Sequence, residues 1–174
     1  MIGTTVHIPT LETGRLILRA PATGDFEAYA EMMISSRACY MDQAKDRNAA
    51  WNWFVSDVAH WSLFGFGALM IDVRGSGLTV GEVSINNGPT FPETEIGWLL
   101  YEGSEGQGYA TEAAGALRDW AFTSTGLTTL VSYIDPENRA SIRLAERLGA
   151  VADPDAERRQ PRDLVFRHSK PEDV

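Results

Sequence analysis

The first part of the chain changes from a strand-like to a helical pattern of apolar residues. In residues 15–20, Leu16, Leu18 and Ala20 alternate with Arg15, Ile17 and Arg19, which predicts a strand. Apolar residues at helical spacing then follow Asp25, a residue type that favours the N-cap position of a helix. A second amphipathic helix is predicted from one apolar stripe, which comprises Trp51, Phe54, Val55, Val58 and Trp61.

The middle of the chain predicts consecutive strands. Apolar runs cover residues 66–73, 78–86 and 95–101, and Gly- or Pro-containing turns separate them. Such a run with short connections is typical of an antiparallel meander. Gly97 lies inside the third run and predicts either a bulge or the close approach of another group.

The second half has a different order, in which a strand leads through a glycine-rich loop into a helix. Residues 109–124 have a helical stripe of alanines with Leu117, and residues 127–134 predict the next strand. A further helix follows Asp135 or Asn138 and ends at Gly149. A last strand is predicted near residues 163–169, so the fold class is α+β.

Composition and charge narrow the classes of function. The chain has 174 residues, 44% of them apolar and 22% charged, which fits one globular domain over residues 1–174 with a core of about residues 11–168. The net charge of -9 argues against nucleic acid or an anionic membrane as a partner and slightly favours a cationic substrate. Acidity for solubility is the simpler explanation.

Cysteine content and hydropathy bear on the compartment. Cys39 is the single cysteine, so the chain can form neither an internal disulfide nor a multi-cysteine metal site. We expect no metal. No secretory leader pattern and no apolar run of the ~20 residues needed to span a bilayer is present. The expected compartment is the cytoplasm.

The glycine-rich loop is the strongest chemical signal. Gly103, Gly106 and Gly108 precede a helix, and a helix start presents about four backbone N–H groups without intrahelical partners. Glycines let a phosphate approach those groups. A glycine turn capped by water is the alternative. Tyr109 follows Gly108 where a Walker loop requires Lys, and the G-x-x-G-x-G spacing reverses the dinucleotide fingerprint.

The chain resembles the GNAT superfamily of N-acetyltransferases, in particular its RimJ/RimL-like branch, which acetylates ribosomal proteins. The resemblance is carried by the strand, glycine-rich loop and helix of residues 95–117 and by the Asn-led helix of residues 135–150. The opening residues 11–21 resemble the first strand of that branch. The resemblance covers about residues 11–167. It implies a mostly antiparallel, splayed sheet flanked by helices, with acetyl-CoA bound as co-substrate between the strands at residues 95–101 and 127–134.

The resemblance also implies cofactor-binding residues. The phosphate loop corresponds to residues 105–110, with Glu105 where the family has Gln or Arg. A carboxylate near a pyrophosphate is unfavourable unless it points away or has a partner. The expected donors are the backbone amides of Gly106, Gln107, Gly108, Tyr109, Ala110 and Thr111. Asn138 is expected to contact CoA, with helix capping as the alternative, and a backbone N–H near Leu99 or Leu100 to bind the oxyanion.

Candidate catalytic residues follow partly from the chemistry of amide formation. Glu95 is the candidate general base, acting through water, with Glu82 as a second candidate and an exposed strand-end carboxylate as the alternative. The tyrosine acid of many relatives is replaced by Ala145. The resemblance to the ribosomal branch points instead to Ser141, whose alternative role is a local hydrogen bond in the helix.

These observations predict an acetyl-CoA-dependent N-acetyltransferase that works by direct transfer in a ternary complex. The acceptor is a primary amine, either a protein N-terminus or a small molecule. A non-catalytic CoA-binding sensor or scaffold with the same fold is the alternative, because the tyrosine is missing and Glu105 is unusual. The oligomeric state is left open, with a homodimer among the alternatives.

Overall fold

The computed structural model describes residues 6–170, and one mixed β-sheet forms its centre. Its eight strands are β1 (Leu11–Glu12), β2 (Leu16–Arg19), β3 (Ala68–Val73), β4 (Thr79–Asn86), β5 (Glu95–Leu100), β6 (Thr129–Ile134), β7 (Val151–Ala152) and β8 (Leu164–Ser169). The four α-helices are α1 (Phe26–Ile34), α2 (Arg47–Phe64), α3 (Tyr109–Ser124) and α4 (Arg139–Arg147). Short 3-10 helices occupy Thr23–Asp25 and Ser36–Tyr40.

The sheet order is β1-β2-β3-β4-β5-β6-β8-β7, and every neighbouring pair is antiparallel except β5 and β6. Those two strands are parallel and share one register pair, Glu95 with Val131. Beyond that pair they diverge, so the sheet opens at its centre. The predicted α+β class, the meander and the splayed central strands are confirmed.

Each face of the sheet packs against different helices. On one face, α3 contributes Ala113, Ala114 and Leu117 to a cluster that contains most of the buried aliphatic residues. On the other face, α1 and α2 bury Tyr29 and Phe54 in a smaller, more aromatic cluster. This arrangement follows from the alternation of side chains along each strand. The smaller cluster leaves room for a cavity over β4 and β5.

Three details differ from the sequence predictions. The apolar stripe of α2 is partly wrong, because Trp51 and Val55 are exposed while Asp57 and His60 turn inward. Asp25 occupies the N-cap position of α1, but its carboxylate binds Arg19 and the Ala22 amide instead of the helix. The sheet irregularity lies between Ile71 and Asp72 of β3, not at Gly97.

Candidate functional site

A cavity of about 910 Å³ passes through the opening between β5 and β6. Its walls include side chains from both faces of the sheet: Glu82 and Glu95 on the side of α1 and α2, and Trp98 and Ser141 on the side of α3 and α4. The loop before α3 forms one end of it. Two substrates can therefore enter from opposite faces and meet in the opening.

The start of α3 supplies unpaired backbone donors. Gly108 has φ 79° at the N-cap, and Gly106 has φ 76°, conformations that side-chain-bearing residues rarely adopt. No hydrogen bond joins the amides of residues 106–111 to any other group in the part of the chain that the structure describes. Five of these six residues line the cavity: Gly106, Gly108, Tyr109, Ala110 and Thr111. The positive end of the helix dipole adds to this preference for an anion.

Arg15 braces the loop from outside. Its guanidinium donates to the Gln107 carbonyl at 2.8 Å and to the Glu112 carboxylate at 2.7 Å, and it lies over the Tyr109 ring. Thr13 donates to the same carboxylate at 2.6 Å. Gln107 is thus held by its carbonyl. The strand start therefore fixes the geometry of the phosphate loop.

Glu105 has a partner. Arg37, in the 3-10 helix after α1, forms an ion pair with the Glu105 carboxylate and also donates to the Leu100 carbonyl at 3.2 Å. The pair offsets the negative charge that the sequence places beside the phosphate loop. Arg37 also ties the wall formed by α1 to the end of β5, at the rim of the cavity.

The register of β5 separates the two candidate oxyanion donors. Tyr101 donates its amide to Val80 of β4 at 2.8 Å, whereas the Ile96 carbonyl accepts from Ser132 of β6 at 2.8 Å. Because backbone groups alternate along a strand, Leu99 faces β4 and Leu100 faces the opening. No residue of β6 pairs with Leu100 within residues 6–170. Of the two predicted residues the register favours Leu100 as the candidate donor, because the Leu99 amide is directed into the sheet.

Glu95 lies at the point where β5 and β6 begin to separate. Its carboxylate accepts a hydrogen bond from the Asn86 amide at 3.1 Å. Burial raises its pKa above the usual range, and the Asn86 hydrogen bond opposes this effect only in part. A carboxylate with a raised pKa is a stronger base than a solvated one, so Glu95 suits proton removal from an ammonium group.

Ser141 and Asn138 begin α4 beside the opening. The side-chain Oδ1 of Asn138 accepts a hydrogen bond from the Ser141 backbone amide at 3.1 Å, so Asn138 caps the helix as the alternative interpretation expects. Trp98 donates its indole N–H to the Ser141 hydroxyl oxygen at 3.1 Å. Because that oxygen accepts from Trp98, the hydroxyl proton of Ser141 stays available to the cavity. Both residues line the cavity.

The side of the cavity that faces α1 and α2, here called the acceptor side, contains the polar residues Tyr29, Asp57 and Glu82. The sequence did not predict that these three residues lie together. Asp57 of α2 accepts from the Tyr29 hydroxyl at 3.1 Å, and burial raises its pKa to about 7. Glu82 is 4% exposed, and burial raises its pKa well above the usual range. Asp57 was missed because a polar position in an amphipathic helix predicts solvent exposure. Its spacing of three residues from His60 was the available signal.

The histidines are structural in this fold. His60 contacts the Ser56 and Asn87 carbonyls at 2.7 and 2.9 Å. His168 lies behind the opening, where its Nε2 contacts the Ser132 hydroxyl at 3.0 Å, and burial lowers its pKa to about 4. Ser132 in turn donates to the Ile96 carbonyl. This chain of contacts joins β8, β6 and β5 just where the sheet opens.

The described residues show neither a cluster of metal ligands nor a membrane-spanning helix. Within residues 6–170, no three His, Cys, Asp or Glu side chains are grouped closely enough to hold a metal ion. None of the helices in that range is both long and apolar enough to cross a membrane.

Comparison with solved structures agrees with the architecture. The crystal structure of an acetyltransferase from Agrobacterium tumefaciens is 50% identical, with a TM-score of 0.91, and the match covers 98% of this chain and 99% of that one. RimJ of Mycobacterium smegmatis, solved in complex with CoA-disulfide, is 17% identical, with a TM-score of 0.71 over 92% of this chain and 87% of that one. The second likeness shows a shared fold.

Curated relatives are more distant and match over shorter segments. The uncharacterized protein YkkB of Bacillus subtilis (strain 168) is 30% identical over 112 residues, which are 63% of this chain and 65% of YkkB. The uncharacterized N-acetyltransferase YnaD of the same organism is 34% identical over 55 residues, 32% of each chain. The chain thus matches less than two thirds of the length of either relative.

The family model of the acetyltransferase (GNAT) domain matches residues 15–151, which include the strand that braces the loop, the phosphate loop and all of α4. Of the residues described above for this site, only Thr13 and His168, which support it from outside the cavity, lie beyond this range. The protein therefore belongs to the GNAT acetyltransferase family.

Proposed function

We propose that the protein transfers an acetyl group from acetyl-CoA to a primary amine in a ternary complex. The observation that carries this proposal is the set of unpaired amides at Gly106, Gly108, Tyr109, Ala110 and Thr111, residues that line a cavity open through the sheet. In a GNAT domain these groups suit the pyrophosphate of CoA. Leu100 and Ser141 lie along the same cavity, so one bound thioester can reach both.

Cofactor binding uses backbone more than side chains. The amides of Gly106, Gln107 and Gly108 and those of the first turn of α3 donate to the pyrophosphate oxygens. Asn138 acts here by capping α4, which positions Ser141. Arg37 keeps the Glu105 carboxylate away from the phosphates.

The amine must lose a proton before it attacks. Glu95 accepts that proton, directly or through one water, because burial has raised its pKa. Glu82 is the second candidate base. The neutral nitrogen then forms a bond to the thioester carbon, and the carbonyl oxygen takes the negative charge.

The Leu100 amide donates to this oxyanion, since it faces the opening and has no strand partner there. When the tetrahedral intermediate collapses, the carbon–sulfur bond breaks and sulfur leaves as a thiolate. Ser141 donates a hydrogen bond or a proton to that sulfur. A free thiol has a pKa of ~8.5, so this assistance contributes less than the positioning of the two substrates.

The test combines binding with turnover. Calorimetry with acetyl-CoA measures the cofactor site, and a panel of amines with detection of the released thiol measures catalysis. We expect acetyl-CoA binding and thiol release that depends on an amine. Glu95→Gln should bind acetyl-CoA normally and release thiol at least tenfold more slowly at neutral pH.

A non-catalytic CoA sensor is the second candidate, and one observation favours it: Ala145 stands where many relatives carry a tyrosine acid, and it is fully buried. Acetyl-CoA binding without thiol release on any amine would support the sensor. Absence of acetyl-CoA binding would contradict both candidates.

A further inference from the structure

The acceptor side of the cavity contains three carboxylates without a basic partner. Asp57, Glu82 and Glu95 all line it, and none takes part in an ion pair within the described range. The acids at the rim are different: Glu105 pairs with Arg37, and Asp42 with Arg159. The acids at the rim thus have ion-pair partners, whereas the three inside have none, and burial without a cation is what raises the pKa values of Asp57 and Glu82.

Glu82 is the most unusual of the three. Its side chain lies on β4 and is 4% exposed, yet its Oε2 atom finds no hydrogen-bond partner among the residues that the structure describes. Leaving a carboxylate oxygen buried and without a hydrogen-bond partner costs free energy, because its interaction with water is lost and nothing replaces it. A site that binds a cation would recover this cost when the ligand enters.

The sheet surface beside Glu82 leaves room for a bound cation. The register places Glu82 opposite Leu99, and Ser84 opposite Gly97, so these residues share one face of the sheet. Gly97 has no side chain, and a Cβ there would meet nothing closer than 3.7 Å, so the floor between Glu82 and Glu95 is open. Asp57 and Tyr29 face this floor from α2 and α1.

The reacting amine cannot be the cation that Glu82 and Asp57 hold, because that nitrogen must be neutral when it attacks. Glu95 is available to take its proton, and it lies four residues along the sheet from Glu82, since its register partner is Asn86. Four residues of a strand span roughly 13 Å. A second charged group on the acceptor can therefore bind while the first reacts.

We propose that Glu82 and Asp57 bind a second ammonium group of the acceptor, so that the acceptor is a small molecule with two or more amines. This inference rests on the proposed acetyltransferase function and gives its acceptor class. The net charge of -9 has the sign that attracts such a molecule.

The test compares matched amines. Straight-chain α,ω-diamines of three to six carbons are compared with the monoamines of the same length and with a short peptide that begins with alanine. We expect the best diamine to exceed its monoamine and the peptide in kcat/KM by at least tenfold. Equal values, or a preference for the peptide, would overturn the inference and leave the acetyltransferase proposal intact.

Substitutions of Asp57 and Glu82 test whether these two residues cause the preference for the diamine. Asp57→Asn keeps the shape of its side chain, and we expect it to reduce the ratio of diamine to monoamine kcat/KM at least tenfold while the monoamine changes by less than threefold. Glu82→Gln, at the second candidate base, should lower the same ratio at least tenfold whatever its effect on the monoamine. Glu31→Gln, which removes one charge at an exposed position of α1, is the matched control and should leave the preference unchanged. Equal losses for diamine and monoamine would contradict a role in binding the second cation.

If no amine is acetylated, the cation site is tested by measuring amine binding directly. Calorimetry then measures the diamine and the monoamine with the CoA-loaded protein. Diamine binding that weakens at least tenfold in Glu82→Gln would support the cation site although the proposed catalysis failed. Absence of such binding would overturn the inference. Each result is accepted only for variants whose thermal midpoint shows that they are folded.

Discussion

At the scale of single residues, Ser141 is the clearest test of the mechanism. Its hydroxyl oxygen already accepts from Trp98, so its proton is free for the leaving sulfur. We expect Ser141→Ala to lower kcat about tenfold and to change the dissociation constant of acetyl-CoA by less than twofold. Stopped-flow thiol release and calorimetry measure the two quantities. An unchanged kcat would remove Ser141 from the reaction.

His168 makes stability depend on pH. Burial lowers its pKa from 6.5 to about 4, so between these values the unfolded chain binds a proton that the folded protein excludes. The stability contributed by the neutral ring is complete above pH 6.5 and is lost as the pH falls towards 4. At ~1.4 kcal/mol per pKa unit the loss is about 3 kcal/mol.

Comparison with His168→Gln isolates this effect from the buried carboxylates Asp57, Glu82 and Glu95, whose raised pKa values give a pH dependence of the opposite sign. Relative to that variant, the wild type should lose about 3 kcal/mol of unfolding free energy between pH 6.5 and 4 in urea titrations. His7→Gln, at an exposed position, should show no such difference. Parallel curves for wild type and His168→Gln would contradict the burial effect.

Some residues could be predicted from the sequence because the family pattern is local. The phosphate loop and Ser141 depend on short spacings within one strand–loop–helix unit. Contacts between distant segments could not be predicted: Arg37 pairs with a residue 68 positions away, and Asp57 reaches the cavity only because α2 lies across β4. The choice between Leu99 and Leu100 required the register, since backbone direction alternates at every residue.

At the scale of elements, the glycines of the phosphate loop can be tested against a matched glycine. Gly106 and Gly126 have φ of 76° and 77°, and a Cβ at either would meet no atom within 4 Å. Alanine at either should therefore cost a similar ~1 kcal/mol of stability. Only Gly106→Ala should also weaken acetyl-CoA binding, by at least fivefold in calorimetry. Equal affinities in the two variants would argue against the loop as the pyrophosphate site.

The link between the 3-10 helix and the phosphate loop predicts a coupled pair of substitutions. Arg37→Ala leaves Glu105 uncompensated beside the pyrophosphate, so we expect the affinity for acetyl-CoA to fall about threefold to tenfold at low salt. Adding Glu105→Gln should restore it, because the repulsive charge is then absent. Calorimetry on the four proteins of this cycle measures the coupling. An equal loss in both backgrounds would mean that Arg37 contacts the cofactor itself.

Elements with a long, regular pattern agree with the sequence prediction. The helix predicted at residues 109–124 is α3, Tyr109–Ser124, since its alanine stripe faces the sheet throughout. The two-residue strands β1 and β7 were missed, because two residues carry no period. The stripe on α2 failed for another reason: the inward face of this helix covers a polar cavity as well as a core.

At the scale of the whole molecule, the sheet consists of two parts that meet at one register pair. Strands β1 to β5 form one part, and β6, β8 and β7 form the other. Acetyl-CoA bound between them contacts both. At about 100 times its dissociation constant it should raise the unfolding free energy by ~2.7 kcal/mol. Hydrogen exchange should slow in both β5 and β6, and protection of one strand alone would contradict a bridging position.

The unpaired edge of β5 has a further consequence. The backbone groups of Trp98 and Leu100 that face β6 resemble those of an outer strand, although they lie in the middle of the sheet. Outer strands recruit extended peptide from neighbouring molecules and so promote aggregation. Here that edge lies within the cavity, and we expect the pantetheine arm of bound acetyl-CoA to take the position of the missing strand. Bound acetyl-CoA should therefore also protect the protein from self-association.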